Sequence, residues 1–412
     1  MESVYLGREP VIDRENSLFA YEVLYKNTKK EDAFDTSYTS ASVINTVLNK
    51  FGTQKIIGKR KAFVKIDEKF LMHDLIFSIP KEFFIYSLLD MEMSQRVQQR
   101  IEQLYNKGYE LSLDDTPLRK DVLLKYQTIL KKLSYIRVTL DDLGMSTVKL
   151  IEFLHKYNIK VVSVGIATSQ EYKVAKELGC DLFQGYFFAE PKILENSKYE
   201  PAQANILQLY NLLLDDETDI DTITKAFEDN HEITLQLLQF INSGAFHFRN
   251  RIASISHILS LVGRRPLSQW LMLMIYSKSV ATNTIHSPLM LMVKNRTELM
   301  EKILKTVRPD ASKEFLGEAY FVGVLSLIDT VFGVELEKIL ADMKVSMEVK
   351  EALLDHKGLL GEIYLLVRAI EVVDIDLMMA FEEKYNLQSN VIENIVLESM
   401  QGVNEFENPS ED

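Results

Sequence analysis

Charged side chains that could act together stand at or near the ends of predicted strands in the first half of the chain. Glu22 lies in the apolar run 19–25, and the pair Asp114-Asp115 directly follows the run 110–113. Carboxylate oxygens are the ligands that Mg²⁺ prefers, and two-metal hydrolysis needs several of them to hold ions roughly 3.5–4 Å apart. Two cations, Lys65 and Arg137, occupy comparable runs. The pattern predicts a site in which acidic and basic side chains meet.

The elements that would position these side chains alternate between short β-rich runs and amphipathic helical stretches. The β-rich runs cover residues 19–25, 62–66, 83–88, 110–113, 135–140, 160–164 and 181–183. This alternation predicts a parallel sheet that closes into an α/β barrel of the TIM type. Because chemistry in such barrels collects at the C-terminal strand ends, we expect the polar residues there to converge on one mouth. They are Glu22, Lys65, Ser87, Asp114, Asp115 and Arg137.

The second half of the chain changes character after the polar stretch 192–204, which lies around Pro201. Beyond it, strand patterns give way to apolar residues at helical spacing, for example Leu207, Leu209 and Leu213. We therefore predict a barrel domain over residues 1–195 and an all-α domain over residues 196–403. The polar, acidic residues 404–412 are predicted to be a disordered tail.

Composition limits the classes of function. The chain of 412 residues carries a formal net charge of −13, which gives no electrostatic footprint for nucleic acid and favours protein partners. No run of about 18 uncharged apolar residues and no secretory pattern occurs, so we expect no membrane association. The single cysteine, Cys180, excludes an intramolecular disulfide and fits a reducing compartment. We expect a soluble, cytoplasmic protein.

Four landmarks in the first domain resemble the EAL domain, the TIM-barrel phosphodiesterase that cleaves cyclic-di-GMP with two divalent metals in active members. Residues 9–13 (Glu-Pro-Val-Ile-Asp) resemble its opening motif, and residues 21–24 (Tyr-Glu-Val-Leu) resemble its signature. Residues 113–115 resemble the central Asp-Asp motif, and residues 184–187 with Pro191 resemble the closing segment. Each landmark alone is weak, but together they are specific. The resemblance implies an EAL-like barrel.

Several positions depart from what this resemblance implies for a metal site. Lys65 stands at the family's metal-binding Asn, and Ser87 at a metal-binding Glu. The Lys-x-Asp strand reads Arg137-Val138-Thr139, and the Glu-Gly-Val-Glu motif begins at Val164 and ends at Ala167. Of the core acidic set, only Glu22, Asp114 and Asp115 remain. We therefore expect a vestigial site with no catalytic residues, no metal and no cofactor.

Three adjacent carboxylates repel one another unless positive charge offsets them. Lys65 and Arg137 are the candidates, and we hypothesise that they form an internal ion-pair network with Glu22, Asp114 and Asp115. The alternative is that both cations are ordinary solvated surface residues.

Binding of cyclic-di-GMP without turnover is a separate possibility. The resemblance places Glu9 at the family's opening Gln and Lys26 at an Arg. The first change adds a negative group, and the second replaces a bidentate fork by a point charge. We therefore expect weakened phosphate recognition and no cyclic-di-GMP binding.

The second domain resembles the HDOD domain, a helical relative of HD-type phosphohydrolases. The stretch 235–263, which includes Phe-Ile-Asn-Ser-Gly-Ala-Phe at residues 240–246, carries the resemblance. Where HD enzymes place a metal-binding His-Asp pair, this chain has Ser326 and Leu327, neither of which can replace it. We expect no metal in this domain.

The sequence thus favours a bacterial signal-transduction adaptor that joins an inactive EAL barrel to an HDOD domain and acts through protein contacts or self-association. Two alternatives stay open. One is a cyclic-di-GMP phosphodiesterase with residual activity at Glu22, Asp114 and Asp115, and the other is a non-hydrolysing cyclic-di-GMP receptor.

Overall fold

The protein is described from a computed structural model. The structure describes residues 4–27, 52–190, 201–230, 233–234, 237, 254–278, 287–388 and 390–407. The linker 192–200 and most of the stretch 235–253 that carries the HDOD resemblance lie outside the described residues. The side chain of Lys26 is also outside this description.

Eight strands in the described part of the chain form a closed barrel in sequential order. They are β1 (Val4–Asp13), β2 (Leu18–Asn27), β3 (Lys61–Ile66), β4 (Phe84–Leu88), β5 (Glu110–Leu113), β6 (Tyr135–Thr139), β7 (Lys160–Val164) and β8 (Leu182–Gln184). Strands β2 to β8 pair in parallel. The predicted TIM-type barrel is therefore confirmed, and all seven predicted strands are present.

The first strand corrects the expected topology. β1 pairs antiparallel with both β2 and β8, so the barrel is not wholly parallel. The apolar-run pattern did not predict this strand, because Gly7, Arg8, Glu9 and Pro10 interrupt any apolar run in β1. A short turn joins β1 to β2, and such a connection permits only antiparallel pairing.

Helices and short turns connect the barrel strands. The α-helices are α1 (Thr53–Ile57), α2 (Glu68–Met72), α3 (Gln95–Asn106), α4 (Lys120–Lys125), α5 (Val148–His155) and α6 (Ser169–Glu177). α3 buries Val97, Ile101 and Leu104, which have the spacing of one helix face. Cys180 is fully buried, and burial raises the pKa of its thiol to about 12. It is therefore an inert packing residue.

The barrel interior is layered because side chains alternate between the two faces of a strand. One layer is apolar and consists of Val11, Ala20, Phe63, Ile85, Tyr135, Val162 and Leu182. Two residues away on the same face of these strands stand Glu9, Glu22, Lys65, Ser87, Arg137, Val164 and Gln184. Asp114 follows β5 at the same end of the barrel. The barrel interior thus contains an apolar layer and, next to it at the C-terminal ends of the parallel strands, a mostly polar layer.

The remaining described elements are helical, as predicted for the second half. They are α7 (Pro201–Leu214), α8 (Ile220–Glu228), α9 (Ile255–Val262), α10 (Arg264–Lys278), α11 (Pro288–Val307), α12 (Lys313–Leu325), α13 (Ile328–Phe332), α14 (Leu336–Asp342), α15 (Met347–Leu354), α16 (Gly358–Val372), α17 (Ile375–Lys384) and α18 (Val391–Glu407). No described helix is both long enough and apolar enough to cross a membrane.

The compact units do not follow the chain as simply as two consecutive domains. One unit contains residues 1–190, 286–311 and 363–412, and the other contains residues 191–285 and 312–362. Helices α11 and α18 thus belong to the barrel unit. The predicted all-α domain, residues 196–403, had included the whole of α11 and most of α18. Residues 404–407, placed in the expected disordered tail, form the last turn of α18, and Asn404 and Glu407 are buried. Residues 408–412 lie outside the described residues.

Candidate functional site

Arg137 is the centre of the polar layer. It stands on β6, and only 1% of the residue is exposed. Its Nη1 and Nη2 donate to Glu22 Oε1 and Oε2 at 3.0 and 2.8 Å, a bidentate pair. Nη1 also lies 2.8 Å from Asp114 Oδ1. A single guanidinium therefore bridges carboxylates from β2 and from the end of β5.

Lys65 supplies the second cation from β3. Its Nζ lies 2.9 Å from Asp114 Oδ2, 3.5 Å from Asp115 Oδ2 and 4.0 Å from Glu22 Oε1. The Lys65 side chain is 42% exposed, so it reaches the cluster from the solvent side. Both cations thus lie within ion-pair distance of the predicted carboxylates, which confirms the hypothesised network and excludes two free surface cations.

Gln184 extends the network through its side-chain amide. Its Oε1 accepts from Arg137 Nη2 at 2.5 Å, and its Nε2 donates to Glu22 Oε2 at 2.5 Å and to Glu9 Oε2 at 2.6 Å. Sequence reasoning placed Gln184 only in the closing motif. Its position at the end of β8, two residues beyond the buried Leu182, was the signal that it faces the same interior.

Burial and neighbouring charges act against each other on the pKa values of this cluster. Burial raises the pKa of Glu22, but the Arg137 charge and its hydrogen bonds outweigh burial and hold that pKa below its usual range. At Lys65 burial lowers the pKa, yet Asp114 and Glu22 hold it above the ordinary value. Burial raises the pKa of Asp114, and the two cations offset this only in part. Burial, with Glu22 nearby, also raises the pKa of Glu9.

The raised pKa of Glu9 predicts a pH-dependent effect of Glu9→Gln. The folded protein binds more protons than the unfolded chain above the ordinary Glu pKa of 4.5, so Glu9 lowers stability as pH rises from that value. Glu9→Gln removes this loss, and its amide oxygen can still accept from Gln184. We expect the free energy of unfolding to rise by about 1 kcal/mol at pH 7–8, with no gain below about pH 4.

Urea denaturation across this pH range measures the difference. Glu15→Gln is the matched control, because it removes the same charge from an exposed residue of the β1–β2 turn. It should change stability by less than about 0.5 kcal/mol. A Glu9→Gln protein less stable than the wild type at pH 8 would contradict the argument.

The other residues singled out in the barrel have different surroundings. Ser87 is fully buried between Lys65 and Ser112 in strand register, and its Oγ has no hydrogen-bond partner among the described residues. Asp115 is exposed, with a positive φ of 41°, and its Oδ2 reaches the cluster at Lys65 Nζ, 3.5 Å away.

Three further positions do not join the ion-pair cluster. Thr139 Oγ1 donates instead to Asp142 Oδ2 at 2.9 Å. Val164 packs against the apolar layer. Ala167 is exposed before α6, and its backbone N–H donates to Glu171 Oε2 at 2.8 Å, within that helix's N-terminal capping box.

Ser326 and Leu327, singled out in the second half, serve local structure. Ser326 follows α12, and its Oγ donates to the carbonyl of Gly323 at 2.7 Å. Leu327 is 4% exposed and packs as a core residue. Ser326 therefore lies at the end of a helix, and Leu327 is a core residue.

The residues of the barrel mouth do not fit a pair of divalent metals. Two cationic side chains already contact the oxygens that would be ligands, and Arg137 keeps its charge at any accessible pH. Within the described ranges, no group of three or more His, Cys, Asp or Glu side chains is arranged to hold a metal ion. The geometry is that of a cluster in which the protein's own cations pair with the carboxylates.

Two domain models and two relatives of similar length match this chain. The EAL domain model matches residues 61–191, and the HDOD domain model matches residues 201–341. The uncharacterized protein YuxH of Bacillus subtilis is 28% identical over 384 residues, covering 89% of this chain and 90% of YuxH. The cyclic di-GMP phosphodiesterase CdgJ of Vibrio cholerae is 21% identical over 387 residues, covering 91% of this chain and 86% of CdgJ.

Solved structures of EAL domains also resemble part of this chain. A crystal structure of an EAL domain protein from Listeria monocytogenes is 17% identical, with a TM-score of 0.36, and the match covers 45% of this chain and 87% of that chain. The barrel assignment rests on the strand pairing described above. With both domain models matched in succession, the chain belongs to the proteins that carry an EAL domain followed by an HDOD domain.

Proposed function

We propose that this chain is a bacterial, cytoplasmic signalling adaptor whose EAL barrel does not hydrolyse cyclic-di-GMP. The observation that carries the proposal is the buried Arg137, whose guanidinium pairs with both Glu22 and Asp114. Lys65 supports it by pairing with the other oxygen of Asp114. Carboxylates engaged in this way are counter-charges to the protein's own cations.

Electrostatics explains why a metal would compete poorly. To enter, a divalent ion would have to displace at least one of these cations and then remain within a few ångströms of the other. Arg137 cannot relieve the repulsion by losing its proton, because guanidinium stays charged in proteins. Lys65 is held charged by its acidic neighbours, which keep its pKa above the ordinary value. Displacement of Arg137 would also bury an unpaired charge.

The relative CdgJ is named a cyclic di-GMP phosphodiesterase, and that activity is not carried over to this chain at 21% identity. A direct assay decides. Purified protein incubated with cyclic-di-GMP and Mg²⁺ or Mn²⁺ should release no linear dinucleotide, while CdgJ in the same assay serves as the positive control. Turnover by this chain that is abolished by Glu22→Ala would overturn the proposal and establish a residual phosphodiesterase.

Calorimetry with cyclic-di-GMP separates an adaptor from a receptor. The half-buried Glu9 adds negative charge beside the cluster, so we expect no heat of binding to the full chain. Saturable binding without turnover would instead assign a non-hydrolysing receptor, which the dinucleotide would also stabilise thermally by mass action.

The adaptor role requires a protein partner or a second copy of the chain. Affinity capture from the native host, followed by mass spectrometry and reconstitution from purified components, should give a complex that forms without added dinucleotide. A chain that reconstitutes no complex and sediments as a monomer would contradict this part of the proposal.

A further inference from the structure

The last described helix, α18, is packed into the barrel unit. It contacts α1, α11 and β1, and it buries Ile392, Val396, Met400 and Val403. These contacts join the end of the chain to its first strand. α18 is called the strap below.

A buried ion pair holds the end of the strap. Glu407 Oε1 accepts from Arg60 Nη2 at 2.5 Å and from Arg60 Nε at 3.1 Å. The Glu407 side chain is 0% exposed, whereas that of Arg60 is 29% exposed. The carboxylate is therefore removed from water at the cost of its hydration, and Arg60 compensates that loss.

A second polar contact lies one turn earlier. Asn404 Oδ1 accepts from Arg8 Nη1 at 2.8 Å, and Asn404 Nδ2 donates to the carbonyls of Gln54 and Lys55 at 3.1 and 2.7 Å. One side chain thus connects the strap to β1 and to α1. Directional contacts of this kind fix a single docked position.

A strained residue packs against β1 at Gly7, which neighbours Arg8 in sequence and therefore faces the opposite side of the strand from the strap contact. Val373 has a φ of 52°, in the left-handed region that β-branched residues rarely adopt, and it is 1% exposed. A Cβ placed on Gly7 would lie only 2.4 Å from Val373 Cγ2, so Gly7 is what allows this close packing. Residues in such a conformation persist only where their surroundings hold them.

The strands that meet the strap also carry the charge cluster. Arg8 and Glu9 are consecutive on β1 and point to opposite faces, one to the strap and one to the barrel interior. Gln184, the last residue of β8, lies in the cluster, and two residues further on Tyr186 Oη lies 3.2 Å from the carbonyl oxygens of Arg8 and Glu371. A change in strand position on one face therefore displaces contacts on the other.

We propose that the strap is a releasable element whose docking is coupled to the charge cluster through β1 and β8. The contacts that hold its C-terminal end are polar, so water can replace them, and Glu407 is buried there at the cost of its hydration. The proposal goes beyond a non-catalytic EAL domain, since it assigns the barrel a conformational output at the end of the chain. Coupling of this kind is reciprocal, so changes at either end must affect the other.

Hydrogen exchange with mass spectrometry on the full chain tests the strap. We expect Glu407→Gln to speed exchange in residues 391–407 and in β1 at least tenfold, and to leave α15, in the other compact unit, within twofold of wild type. The matched control is Glu405→Gln, an exposed residue on the same helix whose charged oxygen accepts only from Gln401 among the contacts seen. Uniform acceleration throughout the chain, or no acceleration in the strap, would overturn the proposal.

Two substitutions in β1 test whether changes in the barrel affect exchange in the strap. Gly7→Ala should accelerate exchange in residues 391–407 and in β1, because its Cβ clashes with Val373 and displaces β1, which the strap contacts. Glu9→Gln, which relieves repulsion inside the barrel, should slow exchange in the strap at least threefold relative to α15. Unchanged strap exchange in Glu9→Gln would show that the strap is not coupled to the cluster and would reject the inference, whatever the phosphodiesterase assay returns.

Discussion

Arg137→Met is expected to lower the free energy of unfolding of the barrel by about 3–5 kcal/mol. The substitution keeps much of the side-chain volume but removes the charge that compensates Glu22 and Asp114, which are 4% and 3% exposed. Breaking one side of a buried ion pair leaves unpaired carboxylates in a poorly solvated interior, and this costs more than the pair itself contributes. Exchange rates of the amides in β2 and β6 report the free energy of opening of the barrel.

Arg119→Met is the matched control for the same chemical change at the surface. Arg119 is 66% exposed and pairs with the 73% exposed Asp121, so the loss should stay below about 1 kcal/mol. Adding Glu22→Gln to Arg137→Met should restore part of the stability, because it removes one of the uncompensated charges. An Arg137→Met barrel within 1 kcal/mol of wild type would show that the cluster is not held by this guanidinium.

Gly185→Ala is expected to be the second large effect, a loss of about 3 kcal/mol or more. Gly185 has a φ of 137°, a conformation open almost only to glycine. A Cβ there would lie 2.0 Å from the carbonyl oxygen of Ile166, and this backbone atom has little freedom to move. The clash would also displace the adjacent Gln184, whose amide joins Glu9, Glu22 and Arg137.

The exchange of β8 and β1 amides measures this loss. Gly144→Ala provides the control, since a Cβ at Gly144 meets nothing within 4 Å and its φ is not positive. It should change stability by no more than about 0.5 kcal/mol. Equal stabilities of the two alanine variants would show that β8 can shift away from the residues that follow β7.

Seven strands of the barrel were predictable from the sequence because each is a short apolar run between helical stretches, a pattern that local side-chain types create. The polar mouth was also predictable. Glu22, Lys65 and Arg137 stand on such runs, and strands that close into a barrel bring their inward positions together. Three carboxylates that meet at one mouth need positive charge to offset their repulsion, which predicted the ion pairs with Lys65 and Arg137 that the distances confirm.

The same local signals failed where position depended on the rest of the fold. β1 lacks an apolar run, and its pairing with β2 and β8 depends on contacts across the closed barrel. Thr139 and Ala167 stand where the resemblance implies metal ligands, yet Thr139 bonds to Asp142 and Ala167 lies at a helix start. A residue at the last position of a strand, or just beyond it, can face a surface loop instead of the barrel interior.

The sequence by itself determined the order of the elements, the two domain types and the charges that meet in the barrel, because these follow from side-chain chemistry and spacing along the chain. Only the tertiary structure decided that Gln184 bridges the cluster and that α18 packs on the first strand. Arg8 and Asn404 are 396 residues apart in sequence, and no local pattern encodes a contact at that separation. Such contacts form because folding must bury the remaining apolar faces and pair every buried charge.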